Sequence, residues 1–287
     1  MRDVKICIVL ILAALFLSVP GRAEERVTWL TTHWPPFMVL EEESRGISGG
    51  QYGRQLLMLQ ESLPEYVHGN LEMTWSRFWY VVKKGERVCN CMAFKTPERE
   101  RYTAYSIPIS IVLPNRVVMR QETIRRLGSP PSISLVGLMQ DRRLKGVLIK
   151  SRSYSPGIDD MLGTYEKESN IIREVLDEQT AIKMLAMNRM DYILEYPFAV
   201  TRTLEHLPEF QGKLGVLPIK EIAPFYFVYV ACPKTPWGER LVGRINRSLN
   251  RLRSGDEFRR AMTLVYSGKE LERITAYYDR HLLSIRD

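Results

Sequence analysis

Long hydrophobic runs are nearly missing from this chain: past the first twenty residues, none approaches the ~20 apolar positions a membrane-spanning helix needs. Cysteine is scarce, with four in 287 residues, which excludes a small scaffold built on disulfides. Histidine is as rare, again four, and none falls close to the cysteines in sequence, so the ligand spacing of a zinc site is missing. No triplet, heptad or longer period recurs, which removes collagen, coiled coils and repeat solenoids. A nucleophile elbow, a metal-protease motif and an assembled Ser–His–Asp set are missing too, so nothing in the sequence points directly to hydrolysis. The formal charge is +8, yet acids interrupt the bases, as in Arg99-Glu100-Arg101 and between Glu257 and Arg260. Without a single basic stripe, an anionic ligand or surface is expected rather than nucleic acid.

What remains is a globular composition, 45% hydrophobic and 26% charged. The length suits one large domain or two of roughly 100–150 residues. Arg2 and Lys5 precede the apolar run from Ile6 to Val19, and Pro20-Gly21-Arg22-Ala23 follows it. A basic start, a short apolar segment and small residues before a cut describe a secretory signal peptide over 1–23, with the mature chain starting at Glu24. Fourteen apolar residues are short for a retained anchor. The chain is therefore expected outside the cytoplasm, in an oxidising space. Cys89, Cys91 and Cys232 survive cleavage. Cys232 could bond one of the other two, or all three could be small buried thiols.

Periodicity gives the organisation. Alternation over Arg26 to Thr31 predicts a strand, and the loop His33-Trp34-Pro35-Pro36-Phe37 follows. The Gly-rich turn 46–50 leads into a helix over Tyr52 to Ser62; a strand over Leu71 to Trp75, a helix over Arg77 to Lys84 and a strand over Arg87 to Phe94 come next. That order predicts an α/β lobe with parallel strands. Ile109 to Arg120 is extended around Pro114; Ser134 to Gln140 predicts a helix, Lys145 to Lys150 a strand, Gly157 onward a helix led by Pro156, Glu178 to Asn188 a helix, and Asp191 to Glu195 a strand. Pro224 to Ala231 is predicted as a strand running between lobes, followed by helices near Gly238 to Arg253 and Asp256 to Val265. Lobe 1 is expected to hold 24–117 and 222–287, and lobe 2 to hold 118–221, with a cleft between them.

Lys95-Thr96-Pro97-Glu98-Arg99, followed by Tyr105-Ser106-Ile107-Pro108, resembles the family 3 extracellular solute-binding proteins, with their T-x-x-R run and F-S-x-P-Y segment. Trp34-Pro35-Pro36-Phe37, Gly85-Glu86-Arg87-Val88, Lys145-Gly146-Val147-Leu148 and Asn188-Arg189-Met190-Asp191 match further family features in order. The resemblance implies a two-lobed type II periplasmic-binding fold, each lobe a mixed sheet flanked by helices, with two hinge crossings. It implies a non-catalytic monomer that binds a small carboxylate-bearing or aromatic-bearing solute without a cofactor or metal. It further implies a periplasmic location and, as partner, an inner-membrane ABC permease or a signalling receptor.

By the same resemblance Arg99 grips the ligand carboxylate, a task for which a planar guanidinium is suited; read alone, it is a solvated arginine at a helix start. Trp34 covers the ligand, or packs on Pro35 and Pro36. Ser151, Arg152 and Ser153 offer hydroxyls, a charge and a helix N-terminus to an anion, although serine there is commonly a plain cap. The chain departs from the family at Phe94, where a hydroxyl is usual, and at Gly50-Gln51-Tyr52 in place of G-F-D. The aspartate that takes an α-ammonium is replaced by Tyr196, with Glu195 one residue earlier and so on the opposite strand face. An alternative on the same scaffold is a cyclohexadienyl-dehydratase-like lyase, with Glu195 as acid or base and Arg99 holding a carboxylate.

Overall fold

A computed structural model describes residues 25–150 and 152–287; the expected signal peptide and Ser151 lie outside the described residues. The chain builds two five-stranded mixed sheets. In the first, β1 (Glu25–Thr31) lies between β4 (Tyr66–Glu72) and β5 (Val88–Ala93), all parallel; β12 (Tyr226–Pro233) and β6 (Thr103–Val112) continue antiparallel, giving the order β4-β1-β5-β12-β6. In the second the order is β11 (Leu214–Leu217), β7 (Arg116–Arg120), β10 (Tyr192–Glu195), β8 (Gly146–Ile149), β9 (Ile171–Glu174). There β10, β8 and β9 run parallel, while β7 is antiparallel to both neighbours. A small hairpin pairs β2 (Val39–Leu40) with β3 (Ile47–Gly49).

Helices cover both sheets. α1 (Gln51–Glu61), α2 (Trp75–Lys83), α8 (Pro236–Leu252), α9 (Asp256–Thr263) and α10 (Gly268–Tyr277) accompany the first; α3 (Gln121–Arg126), α4 (Leu135–Gln140), α5 (Pro156–Tyr165), α6 (Glu178–Ala186) and α7 (Pro197–Glu205) accompany the second. Leu56 and Leu59 of α1 and Leu241, Ile245 and Leu249 of α8 are the apolar stripes that seal the first sheet against water. Ile182 and Leu185 of α6 do the same for the second sheet. The chain passes between the sheets through residues 113–115 and again through 218–225.

Some elements differ from expectation. The second strand is Tyr66–Glu72 rather than Leu71 to Trp75, because Thr74 caps a helix that already begins at Trp75 by accepting the Arg77 N–H. That strand lies at the sheet edge with an exposed, polar character, which hid it from a search for apolar alternation. β12 does not bridge the lobes; it is an interior strand of the first sheet, between β5 and β6. Cys89 of β5 and Cys232 of β12 form a disulfide with a Cα–Cα distance of 4.4 Å. Cys91 is a buried free thiol, and burial pushes its pKa up to about 12, so it is inert at neutral pH.

The tail adds α10 and a π-turn at Tyr278–Leu282, neither of which was expected. The buried Arg253 guanidinium fastens this tail by donating to the carbonyls of Leu282 (3.2 Å) and Ile285 (2.6 Å), and to that of Pro108 at 3.0 Å. Burial, with Arg286 nearby, lowers its pKa to about 10, so it stays charged at neutral pH.

Candidate functional site

The loop after β1 is folded back on itself: the Trp34 N–H donates to the Met38 carbonyl and the Met38 N–H to the Trp34 carbonyl, both at 2.9 Å. Its far side closes the start of α1, where the N–H groups of Gln51 and Tyr52 donate to the Pro36 and Phe37 carbonyls at 3.1 and 2.7 Å. The orphan donors of a helix start are satisfied this way. Gly50 makes the approach possible: its φ is +86°, and a Cβ there would lie 2.6 Å from the Phe37 oxygen. The Trp34 ring is thereby held at the mouth of the interlobe space.

That space is a cavity of about 770 Å³. The first lobe contributes His33, Trp34, Trp75, Ser76, Trp79, Met92, Phe94 and Arg99; the second contributes Ile149, Lys150, Arg152, Ser153, Asp177, Glu178, Tyr196, Ala199 and Arg202, among others. Of the eight residues expected at the site, Trp34, Phe94, Arg99, Arg152, Ser153 and Tyr196 line the cavity. Glu195 sits behind its wall with 1% of its side chain exposed. Ser151 lies outside the described residues.

Arg99 stands in a short 3₁₀ turn after β5. Its guanidinium carbon lies 4.2 Å from the centroid of the Trp79 ring, and one terminal N–H donates to the Phe94 carbonyl at 3.3 Å. The acids beside it in sequence are engaged elsewhere, Glu98 with Lys83 and Glu100 with Lys95. Among the described residues Arg99 has no carboxylate partner. A stacked, half-buried guanidinium with free N–H groups facing a cavity is a ready receptor for a carboxylate.

Arg152 is arranged differently. It donates to both oxygens of Glu195, at 2.6 and 2.8 Å, to the Asn115 side chain at 3.3 Å, and pairs with Glu178 at 3.2 Å. Burial works against its charge, but Glu195 first and then Glu178 outweigh it and hold the group ionised. Glu195 also accepts the Tyr196 N–H at 2.8 Å, so both its oxygens are bonded from within the lobe. Bonded in this way and with 1% of its side chain exposed, Glu195 is not presented to the cavity for acid–base work or for an ammonium. Ser153 donates to Asp159, which also accepts the Tyr154 N–H at 2.9 Å. Asp159, in the first turn of α5, thus already takes up the Ser153 hydroxyl that the sequence offered to an anion.

Glu178 was read in the sequence only as a helix residue, and it joins the lobes. Its Oε1 accepts the Trp34 Nε1–H at 3.1 Å across the cleft. Beside this bond Phe37 packs edge-on against Tyr196 at 5.5 Å and Phe198 at 5.1 Å. A continuous polar chain therefore runs from Trp34 through Glu178 and Arg152 to Asn115, in the first crossing between the sheets. Trp75 and Trp79 were also missed, although their i, i+4 spacing on α2 places them on one face.

Burial, and next the neighbouring Glu195, raise the Glu178 pKa above the usual carboxylate value, with Arg152 and Trp34 opposing. The folded protein therefore holds a proton there at pH values where the unfolded chain has released it, and this contribution to stability grows as pH falls from 7 toward the unfolded pKa. Glu178→Gln keeps an oxygen for Trp34 and Arg152 but removes the charge. We expect the variant to match or exceed the wild type at pH 7, by up to about 1 kcal/mol, with the difference shrinking or reversing at pH 5. Urea melts at both pH values check this; a pH-independent difference would count against it.

No protein-family model matches the sequence, and no curated protein matches it. Solved structures do match. A histidine kinase sensor domain with similarity to periplasmic binding proteins is similar at 15% identity and a TM-score of 0.62, over 83% of this chain and 93% of the other. The arginine-, lysine-, histidine-binding protein ArtJ from Geobacillus stearothermophilus is similar at 14% identity and a TM-score of 0.61, over 88% of this chain and 100% of the other. The amino-acid ABC transporter substrate-binding protein AbpA from Streptococcus pneumoniae, solved with L-arginine, is similar at 15% and 0.60, over 84% and 94%. The fold is that of the two-lobed periplasmic binding proteins, and it extends over nearly the whole described chain.

Proposed function

We propose that this chain is a periplasmic solute-binding protein that encloses a small carboxylate-bearing solute between two lobes, one built on the first sheet and one on the second, with the crossings at 113–115 and 218–225. β7 starts at Arg116, so the second lobe begins slightly before the expected residue 118. The observation that carries the reading is Arg99, placed over Trp79 at the cavity wall with no carboxylate partner among the described residues. Arg99 anchors the carboxylate, Trp34 covers the solute, and Phe94 and Tyr196 supply wall. Arg152, with Glu195 and Glu178, fixes the second-lobe face. The protein acts without a cofactor and without turnover, as a monomer that serves an inner-membrane ABC permease. The engagement of Glu195 by Arg152 and the Tyr196 N–H argues against a lyase.

A second reading, a receptor that reports to a signalling partner, is favoured by the likeness of the fold to a histidine kinase sensor domain. Adjacent permease and ATPase genes would support transport, and an adjacent signalling gene the other role. The solute-binding reading itself is tested by scanning fluorimetry across a metabolite library, followed by small-angle scattering. A carboxylate that raises the melting temperature and leaves the lobes closed is expected; no shift from any compound would refute it.

A further inference from the structure

The lining of the cleft says more about the solute than its charge does. Of the five tryptophans in the chain, three face this one cavity: Trp34 from the loop, Trp75 and Trp79 from α2. Phe94 and Tyr196 add two more rings and Met92 a thioether. The volume, about 770 Å³, falls within the ~300–1,000 Å³ of pockets that enclose drug-sized ligands.

The acids nearby are already engaged. Glu195 is buried and bonded to Arg152 and the Tyr196 N–H. Asp177 caps α6, accepting from the Thr180 N–H at 2.7 Å and the Thr180 hydroxyl at 3.0 Å. Glu178 holds Trp34 and Arg152. Among the described residues Arg99, Lys150 and Arg202 line the cavity without an acidic partner. An excess of unpaired cations beside rings suits a ligand with a flat apolar body and an anionic head.

Resting on the solute-binding reading above, we infer that the solute is an aromatic carboxylic acid, its carboxylate on Arg99 and its ring against Trp75, Trp79 and Phe94, and that an α-amine is not required. Calorimetric titration of the mature chain tests this, with indole-3-acetate, phenylpyruvate and 2-naphthoate in one arm and L-arginine, L-glutamine and L-glutamate in the other. At least one aromatic acid is expected to bind about tenfold or more tightly than every amino acid, and Trp75→Ala to weaken it about tenfold, with Trp75→Phe restoring most of the loss. Thermal melts confirm that each variant folds. A tighter polar amino acid overturns the inference and leaves the solute-binding reading standing, as does aromatic-acid binding that ignores both Trp75 variants. Binding of neither class up to about 1 mM overturns it as well, and the library screen then decides the broader reading separately.

Discussion

Replacing Cys89 and Cys232 together by serine is expected to lower the unfolding free energy by about 3–5 kcal/mol. The two cysteines are 143 residues apart in sequence, so their bond closes a loop of about half the chain. In the chain-entropy picture a loop of that length gives roughly 5 kcal/mol; residual structure in the unfolded state reduces it. The loop contains the whole second sheet, since β7 to β11 lie between the bridged strands. Losing the bond therefore frees the unfolded chain, and because both cysteines are fully buried in the first core the two serine hydroxyls add a desolvation cost of their own. Urea unfolding of the double variant checks the value, and the oxidised wild type in strong reductant should approach it. Cys91 stays reduced in both and serves as an internal thiol count. A loss below about 1 kcal/mol would show that the bridge adds little to what β5 and β12 already secure by pairing.

The same pair of cysteines shows where the sequence is legible and where it stops. Cys89 and Cys91, two apart on a strand, were expected on one face, and both are buried in the same core. Which of them meets Cys232 depends on the register of β12 against β5, and a long-range register leaves no local trace. Helices with wide apolar stripes, such as α1, α6 and α8, were legible to within two or three residues because their periodicity reports burial directly. The edge strand β4 and the short strands β9 and β11 carry too few alternating positions to stand out.

The site divides along the same line. Arg99 and Trp34 sit in ordered motifs, and the structure places both on the cavity wall. Glu178 and Trp79 act through partners supplied by distant segments: Trp34 lies 144 residues from Glu178. In sequence, an acid after Asp177 at a helix start reads as a favourable charge on the helix dipole and nothing more. Arg152 and Glu195 were legible as charged groups at the second-lobe face, but their mutual neutralisation depends on β8 and β10 lying side by side in the sheet.

Arg99→Ala is expected to weaken carboxylate binding by about 2–5 kcal/mol, roughly a 30- to 5,000-fold rise in Kd. The range follows from what remains after truncation: the ligand carboxylate is still enclosed, now without its bidentate donor, against a wall of tryptophan and phenylalanine. Lys150 and Arg202 also line the cavity, but both are exposed and free to reorient, so they compensate weakly. Arg99→Lys is the sharper variant. It keeps the charge and loses both the planar fork and the stacking on Trp79, so a fall of about 1–3 kcal/mol is expected rather than full retention. The melting temperature should fall by only a few degrees in either case, because Arg99 makes no internal ion pair among the described residues and its truncation costs only the Phe94 carbonyl bond and the contact with the Trp79 ring. Calorimetric titration of the wild type and both variants with the acid found by screening gives the comparison. If Arg99→Ala binds as well as the wild type, the anchor lies elsewhere; if Arg99→Lys does, charge alone suffices and the stacked geometry is incidental. An ordered series, wild type tightest and alanine weakest, is what a guanidinium held over an indole at the cavity wall requires.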